Sequence, residues 1–440
     1  MGLLYLASIL EKKGHCVKII DMEAMGLTKS HIKIIIKKEN PFFVGITATT
    51  PVIKRALELC AIVKETNKDI KTILGGPHPT YLPRETITEE MVDIVVCGEG
   101  EITLCEVINS LLNNPDGMAQ VKGIYFKKNG QIVFTGEREP IYDLDILPFP
   151  AHHLINMNAY RHPLARSKRV ASVLTSRGCP SRCTFCSRGF FSHVYRRRSV
   201  RNVIEEIRGL ITKYNIEEIH FIDDTFTLNR AHVEEICHEI INQGWHLKWA
   251  TPNGVHVNTL DYTLIELMKR AGCYSLSFGV ESGNQETLDY IKKGQNLEKV
   301  KQVFDICHKI GIETVAFIII GFPNESHRHI DKTLNFLKEI KADVADIHML
   351  IPLPGTELYD ELNANGYIVE RDWSKYVFHN LPVYRTAYFL PQGLFNEYKR
   401  VYRAYHMNPE YIFSRLIHIR SWQQVKNNFN GLMTLLTMRN

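Results

Sequence analysis

"RVASVLTSRGCPSRCTFC", residues 169–186, joins a short apolar run to a loop holding Cys179, Cys183 and Cys186 within eight positions. Val170, Ala171, Val173 and Leu174 read as a buried strand, because the run is short, apolar and partly β-branched. A loop that opens where such a strand ends is where a (β/α) barrel collects its chemistry. Three thiolates this close select a soft metal centre. A closed zinc site needs a fourth ligand, and His193 is near enough in sequence to supply one. An iron–sulfur cluster held by three cysteines instead leaves one iron open. Spacing alone leaves both readings standing.

Downstream of this loop, "EEIHFID", "LKWATPN", "YSLSFGV", "TVAFIII" and "VADIHML" read as further strands separated by helical segments. One such segment is "SVRNVIEEIRGLITKY", where Ser199 is suited to cap the helix. Six strand–helix units over residues 166–365 fit a partial (β/α)6 TIM barrel. Beyond it, residues 366–440 turn aromatic and basic and read as a small, mainly helical region. Upstream, residues 1–125 alternate helix and strand ("CVKIIDM", "FFVGITAT", "KTILGGPHP", "VDIVVCGEGE"), the pattern of a doubly wound, Rossmann-like parallel sheet. Its glycine breaks, Gly75-Gly76 and Gly98-Glu99-Gly100, fall at strand carboxyl ends, where such sheets bind ligands. Residues 126–165 carry a hairpin turning at Asn129-Gly130 and a linker, "DLDILPFPAHHL".

The 440 residues are 23% charged and 45% hydrophobic with a net charge of +5, which gives no case for nucleic-acid binding. No apolar run reaches the roughly 18 residues of a membrane span. The first residues, "MGLLYLASILEKKGH", show neither a cationic leader nor a small-residue cleavage site. Ten cysteines, seven of them scattered singly, fit a reducing cytoplasm with one metal site rather than a disulfide scaffold.

Cys179-x3-Cys183-x2-Cys186, with Phe185 before the last cysteine, resembles the signature of the radical S-adenosylmethionine (SAM) superfamily. The resemblance implies a [4Fe-4S] cluster on the three cysteines, with SAM itself as the missing ligand of the fourth iron. It also implies reductive cleavage of SAM to a 5′-deoxyadenosyl radical. Matched loop by loop, it places Phe185, Asp223 and Asp224 of "IDDTF", Glu281 and Ser282 of "FGVESG", and Gly321 and Pro323 of "IIIGFPNE" around SAM. "PLPGTELY", residues 352–359, resembles the sixth-strand loop that passes the adenine.

"DDTF", "FGVESG" and "PLPGT" together resemble the branch with a cobalamin-binding domain ahead of the barrel. By that resemblance Thr47, Ala48, Thr49, Thr50, Gly75, Gly76, His78, Gly98, Glu99 and Gly100 line the corrin. Two departures stand out. The Asp-x-His-x-x-Gly motif that supplies a cobalt ligand elsewhere is absent, and Asp346-Ile347-His348 only imitates its start, so His78 is read as a corrin-edge residue. The chain also begins inside what resembles the first helix, so the first, central strand is expected to be missing.

The resemblance implies a cobalamin-dependent C-methyltransferase acting on an unactivated carbon of a small-molecule or lipid-like substrate. It also implies a reductant such as flavodoxin or ferredoxin. Two alternatives remain: a non-methylating oxidative cyclase of the tetrapyrrole type, and a non-catalytic iron–sulfur or cobalamin sensor or carrier. Tyr195, Arg196, Arg197 and Arg198 with Arg201 are read as a solvated basic loop rather than an anion-binding rim. Cys237, Cys273 and Cys307 are read as core thiols. The basic amphipathic stretch "YIFSRLIHIRSWQQVKNNF" is read as a cap on the barrel mouth.

Overall fold

The computed structural model describes residues 1–417 apart from 161, 163, 188–190, 192 and 379. Two sheets organise the chain, the first mixed and the second parallel. The first has the order β1-β2-β3-β4-β5, with β1 (Phe43–Thr47), β2 (Lys71–Gly75) and β3 (Ile94–Val96) parallel. β4 (Ile124–Lys128) and β5 (Gln131–Phe134) are antiparallel to each other. Strand alternation feeds two separate cores. Ile73, Ile94 and Val96 meet the helices Gly2–Lys12 and Gly100–Asn113 on one face. Leu74 and Val95 meet the helix Ile53–Thr66 on the other. The β4–β5 turn has Asn129 and Gly130 at φ 52° and 76°, the pair of positive angles a two-residue hairpin turn requires.

Residues 16–22 form no strand, against the expectation for "CVKIIDM". A short apolar run becomes a strand only beside a neighbour that completes its ladder. Here β1 is the edge of the sheet, and no described strand pairs its outer side. Val17, Ile20 and Met22 pack instead as partly buried side chains against neighbouring helices.

The second sheet is the open barrel. β6 (Val170–Val173), β9 (Glu218–Phe221), β10 (Lys248–Val255), β11 (Cys273–Glu281), β12 (Glu313–Ile320) and β13 (Val344–Met349) run parallel in the order β13-β12-β11-β10-β9-β6. A small separate ladder, β7 (Ser176–Arg177) with β8 (Arg196–Arg197), closes the base of the cysteine loop. The helix Val200–Tyr214 starts where expected: the Ser199 hydroxyl accepts from Asn202 N. Trp249 is fully buried against Phe221 and Phe226, and Cys237, Cys273 and Cys307 lie in the same core. The helices Pro391–His406 and Pro409–Ile417 follow the barrel, and the rest of the basic amphipathic stretch lies outside the described residues. Among the described residues no helix is long and apolar enough to cross a membrane.

Candidate functional site

The cysteine loop leaves β6 at the carboxyl end of the barrel. It is held on several sides by backbone hydrogen bonds. Thr184 N donates to Ile291 O at 3.0 Å, and Leu358 N donates to Thr184 O at 3.0 Å. Phe185 meets Phe322 edge to face at 5.6 Å, joining the cysteine motif to the "GFPNE" turn after β12. Cys179 approaches Thr225 Oγ1 at 3.6 Å. None of the three cysteines, and none of the other seven, is in a disulfide.

Among the described residues no group of three or more His, Cys, Asp or Glu side chains is arranged to hold a single metal ion. A cube that gives each thiolate its own iron makes no demand that the three converge on one point. Three cysteines outside any disulfide on one pinned loop are a donor set that fits such a cluster.

Asp223 and Asp224 diverge. Asp223 is buried and accepts from Thr175 N at 3.1 Å, Thr175 Oγ1 at 2.7 Å and the Ser176 hydroxyl. Burial outweighs these bonds and pushes its carboxyl up to about 6. Its oxygens are committed to the strand that launches the loop. Asp224 is exposed and accepts from Gly178 N at 3.0 Å, beside Cys179.

Glu281 ends β11 with φ 63°, at a shift in the β11–β12 register. A left-handed conformation is uncommon for a residue other than glycine, and here it aims a buried carboxylate. Glu281 Oε1 pairs with Lys293 Nζ at 2.7 Å, and Lys293 stands 5.9 Å from the Phe185 ring. Burial works against the Lys293 ammonium. Glu281 and, as thiolates, Cys183 and Cys186 outweigh it and hold the ammonium above its ordinary value. Sequence reasoning missed Lys293, which sits in "YIKKGQN" with no motif around it.

Ser282 is fully buried, with its hydroxyl 3.0 Å from Thr333 Oγ1 and within 3.4 Å of Glu325 Oε1. Glu325 is a second residue the sequence did not single out. It is buried and accepts from Gly321 N at 2.8 Å and Phe322 N at 3.1 Å, so it shapes the turn that carries Pro323. Burial pushes its carboxyl up to about 7. Gly321 has φ 104°, and a side chain there would strike Tyr384 and come within 2.9 Å of Leu394 Cδ2. This glycine makes room for the helix Pro391–His406 as well as for any ligand.

In the first domain, Ala48 N donates to Gly75 O at 3.0 Å and His78 N to Ala48 O at 3.1 Å, joining the carboxyl ends of β1 and β2. Thr80, which the sequence did not flag, bonds Gly76 O at 2.8 Å and Gly98 N at 3.0 Å and brings in the end of β3. Thr47, Thr49, Gly75, Gly76 and Gly98 remain at least partly accessible, a rim of small residues. His78 is fully buried, its Nδ1 3.3 Å from Thr50 Oγ1 and its Nε2 without a hydrogen-bond partner. Burial lowers it to about 4 and keeps it neutral. The His78 ring is edge-on to Trp373 at 5.5 Å, and the open edge of small residues above β1 to β3 fits a broad macrocycle. Asp346 and His348, which only imitate a cobalt motif, lie on β13 and pair with each other at 2.9 Å.

Glu99 is turned away from that rim and reaches the barrel. Its Oε1 accepts from Arg177 at 2.9 Å, and its Oε2 accepts from Arg196 at 2.7 Å and Ile141 N at 2.8 Å. Glu101 accepts from Arg177 at 2.6 Å. Arg198 pairs with Glu206. Arg196 and Arg198 are thus buried, 4% exposed each, rather than solvated. Glu99, distant in sequence, neutralises Arg196, and Glu206, two turns into the following helix, neutralises Arg198.

Comparison with known proteins agrees with this geometry. The chain matches the radical SAM superfamily over residues 173–337 and the B12 binding domain over residues 1–108. It is 34% identical over 435 residues to an uncharacterized methyltransferase of Pyrococcus horikoshii, covering 98% of this chain and 93% of that one. It is 30% identical over 414 residues to the anaerobic magnesium-protoporphyrin IX monomethyl ester cyclase of Rubrivivax gelatinosus, covering 93% and 74%. Its fold is shared with the cobalamin-dependent SAM radical enzyme OxsB, solved with aqua-cobalamin and SAM bound. The TM-score is 0.76 at 16% identity, over 98% of this chain and 68% of that one. The chain belongs to the radical SAM enzymes that carry a B12-binding domain ahead of the barrel.

Proposed function

We propose that this chain is a cobalamin-dependent radical SAM methyltransferase acting on an unactivated carbon of a small-molecule substrate. The observation that carries the reading is a loop of three cysteines outside any disulfide, at the carboxyl end of β6 and bolted to the sheet ends of the B12-binding domain. When bound, a [4Fe-4S] cluster and SAM supply an electron and a 5′-deoxyadenosyl radical, and cobalamin supplies the methyl group.

The chain's own residues do the rest. Cys179, Cys183 and Cys186 hold the cluster. Asp224 and the Glu281–Lys293 pair border the loop with one exposed acid and one buried ion pair, complementary to the ammonium, carboxylate and ribose hydroxyls of SAM. Phe185 and Phe322 wall the site with apolar surface and keep water from it. Thr47, Ala48, Thr49, Thr50, Gly75, Gly76, His78, Gly98 and Gly100 form the corrin edge. A low-potential donor such as flavodoxin or ferredoxin, in a reducing cytoplasm, completes the assignment.

The cyclase relative favours a second reading, in which the same cofactors oxidise substrate without methylation. The two separate on products. Protein reconstituted anaerobically with iron, sulfide and cobalamin, then reduced with SAM, should form both 5′-deoxyadenosine and S-adenosylhomocysteine. 5′-Deoxyadenosine alone favours the cyclase, and neither product means a carrier.

A further inference from the structure

Glu99, Glu101, Arg177 and Arg196 form a closed set of two acids and two bases, each at most 9% exposed. The acids belong to the loop and first turn that follow β3 in the B12-binding domain, where Glu99 is the N-cap of the helix Gly100–Asn113. The bases stand at the two ends of the cysteine loop. Arg177 lies two positions before Cys179, and β7–β8 pairing sets Arg177 directly opposite Arg196. One carboxylate therefore holds both ends of the loop at once, an oxygen for each guanidinium. Arg196 also bonds Phe191 O within the loop, and Arg177 lies 5.2 Å from the Phe191 ring. A separate contact crosses between the same parts: Tyr81 Oη donates to Ser187 O at 2.7 Å, one residue beyond Cys186.

A buried network of this kind is a poor source of net stability, because desolvation offsets most of its Coulomb energy. It does fix geometry. A loop with both ends clamped has less conformational freedom left to lose when its thiolates ligate. On the other side, Glu99 is flanked by Gly98 and Gly100, whose backbone belongs to the small-residue rim. Ordering the cysteine loop therefore orders the rim through one side chain, and the reverse also holds.

We infer that Glu99 couples the two cofactor sites, so that cluster binding by the cysteine loop tightens cobalamin binding at the sheet edge. Glu99 acts here as a positioning residue through Arg177 and Arg196, and touches neither reacting centre. The inference rests on the function proposed above. Binding coupling is reciprocal, so cobalamin should stabilise the cluster by the same factor.

The full chain is prepared anaerobically with and without iron and sulfide, and hydroxocobalamin is titrated into each while its absorbance is followed. In the unaltered protein the cluster-loaded form should bind hydroxocobalamin about five-fold or more tightly than the cluster-free form. In Glu99→Gln the two affinities should converge. Because that change leaves Arg196 without its acid, the double variant Glu99→Gln/Arg196→Gln is measured beside it. It removes one acid and one base together and leaves Arg177 paired with Glu101, and its two affinities should also converge. Equal affinities in the unaltered protein, or an undiminished ratio in whichever variant folds, overturn the coupling while leaving the cofactor assignment intact. Failure of the unaltered protein to bind hydroxocobalamin in either form overturns the parent assignment.

Discussion

The ring of Tyr81, on the short helix after β2, lies directly over Gly355 of the "PLPGT" loop after β13, with no space for a side chain between them. A residue of the B12-binding domain thus sits against the barrel loop expected to pass the adenine, while its hydroxyl holds the cysteine loop at Ser187.

Gly355→Ala should separate these surfaces. A methyl group would overlap the ring, and φ +80° is itself unfavourable for alanine. A loss of about 2–4 kcal/mol is expected by denaturant titration. Tyr81→Ala in the same chain should return part of that loss, because only the steric share is relieved. Equal stability of Gly355→Ala and the unaltered chain would remove this contact from the docking surface.

Glu325 gives a pH dependence with a definite sign. Its carboxyl is raised to about 7 by burial, above the ordinary value of 4.5. The folded state therefore holds a proton that the unfolded state has released, and stability falls as pH rises from about 4.5 to about 7. Glu325→Gln keeps an acceptor for Gly321 N and Phe322 N but cannot ionise. It should be more stable than the unaltered protein at pH 8, by on the order of 2–3 kcal/mol, and nearly equal to it at pH 4.5. Urea titrations at the two pH values check this, and parallel profiles for both proteins would contradict it.

The Glu281–Lys293 pair is exposed by only 9% and 13% at its side chains. Lys293→Met leaves a buried carboxylate uncompensated and should destabilise the chain by about 3 kcal/mol. Adding Glu281→Gln should recover most of that, a coupling that a double-mutant cycle reads directly. SAM binding, followed by equilibrium dialysis, should weaken in both the single and the double variant. Full SAM affinity in the double variant would remove the pair from the SAM site.

What the sequence revealed and what it hid divide along physical lines. The cysteine loop, the Asn129-Gly130 turn and the Ser199 cap are local. Their chemistry is written within a few residues, and the structure forms each one. The run "CVKIIDM" was misleading because a strand depends on a neighbour, and no described strand lies beside β1 to pair with it. Arg196 looked solvated because its neutralising acid is invisible in the local sequence, Glu99 being 97 positions away, whereas Arg198 meets Glu206 only eight positions on, among several acids of one helix. Lys293 lies in no motif, and Glu325 only closes "IIIGFPNE", where nothing marked it out. Their meaning comes only from Glu281 and from the Gly321 turn, which folding brings to them. Asp223 and Asp224 show the opposite limit, since adjacent acids at a strand end gave no sign that one would face inward and the other outward.

The central claim is a three-thiolate cluster with an open iron that takes SAM, and electron paramagnetic resonance of the anaerobically reconstituted, reduced chain tests it most directly. A [4Fe-4S]+ signal that changes shape on addition of SAM is expected. It should be lost in Cys183→Ser and kept in Cys16→Ser, whose thiol is exposed and remote in sequence from the loop. Bound zinc in place of iron, or a cluster signal indifferent to SAM, would contradict the account.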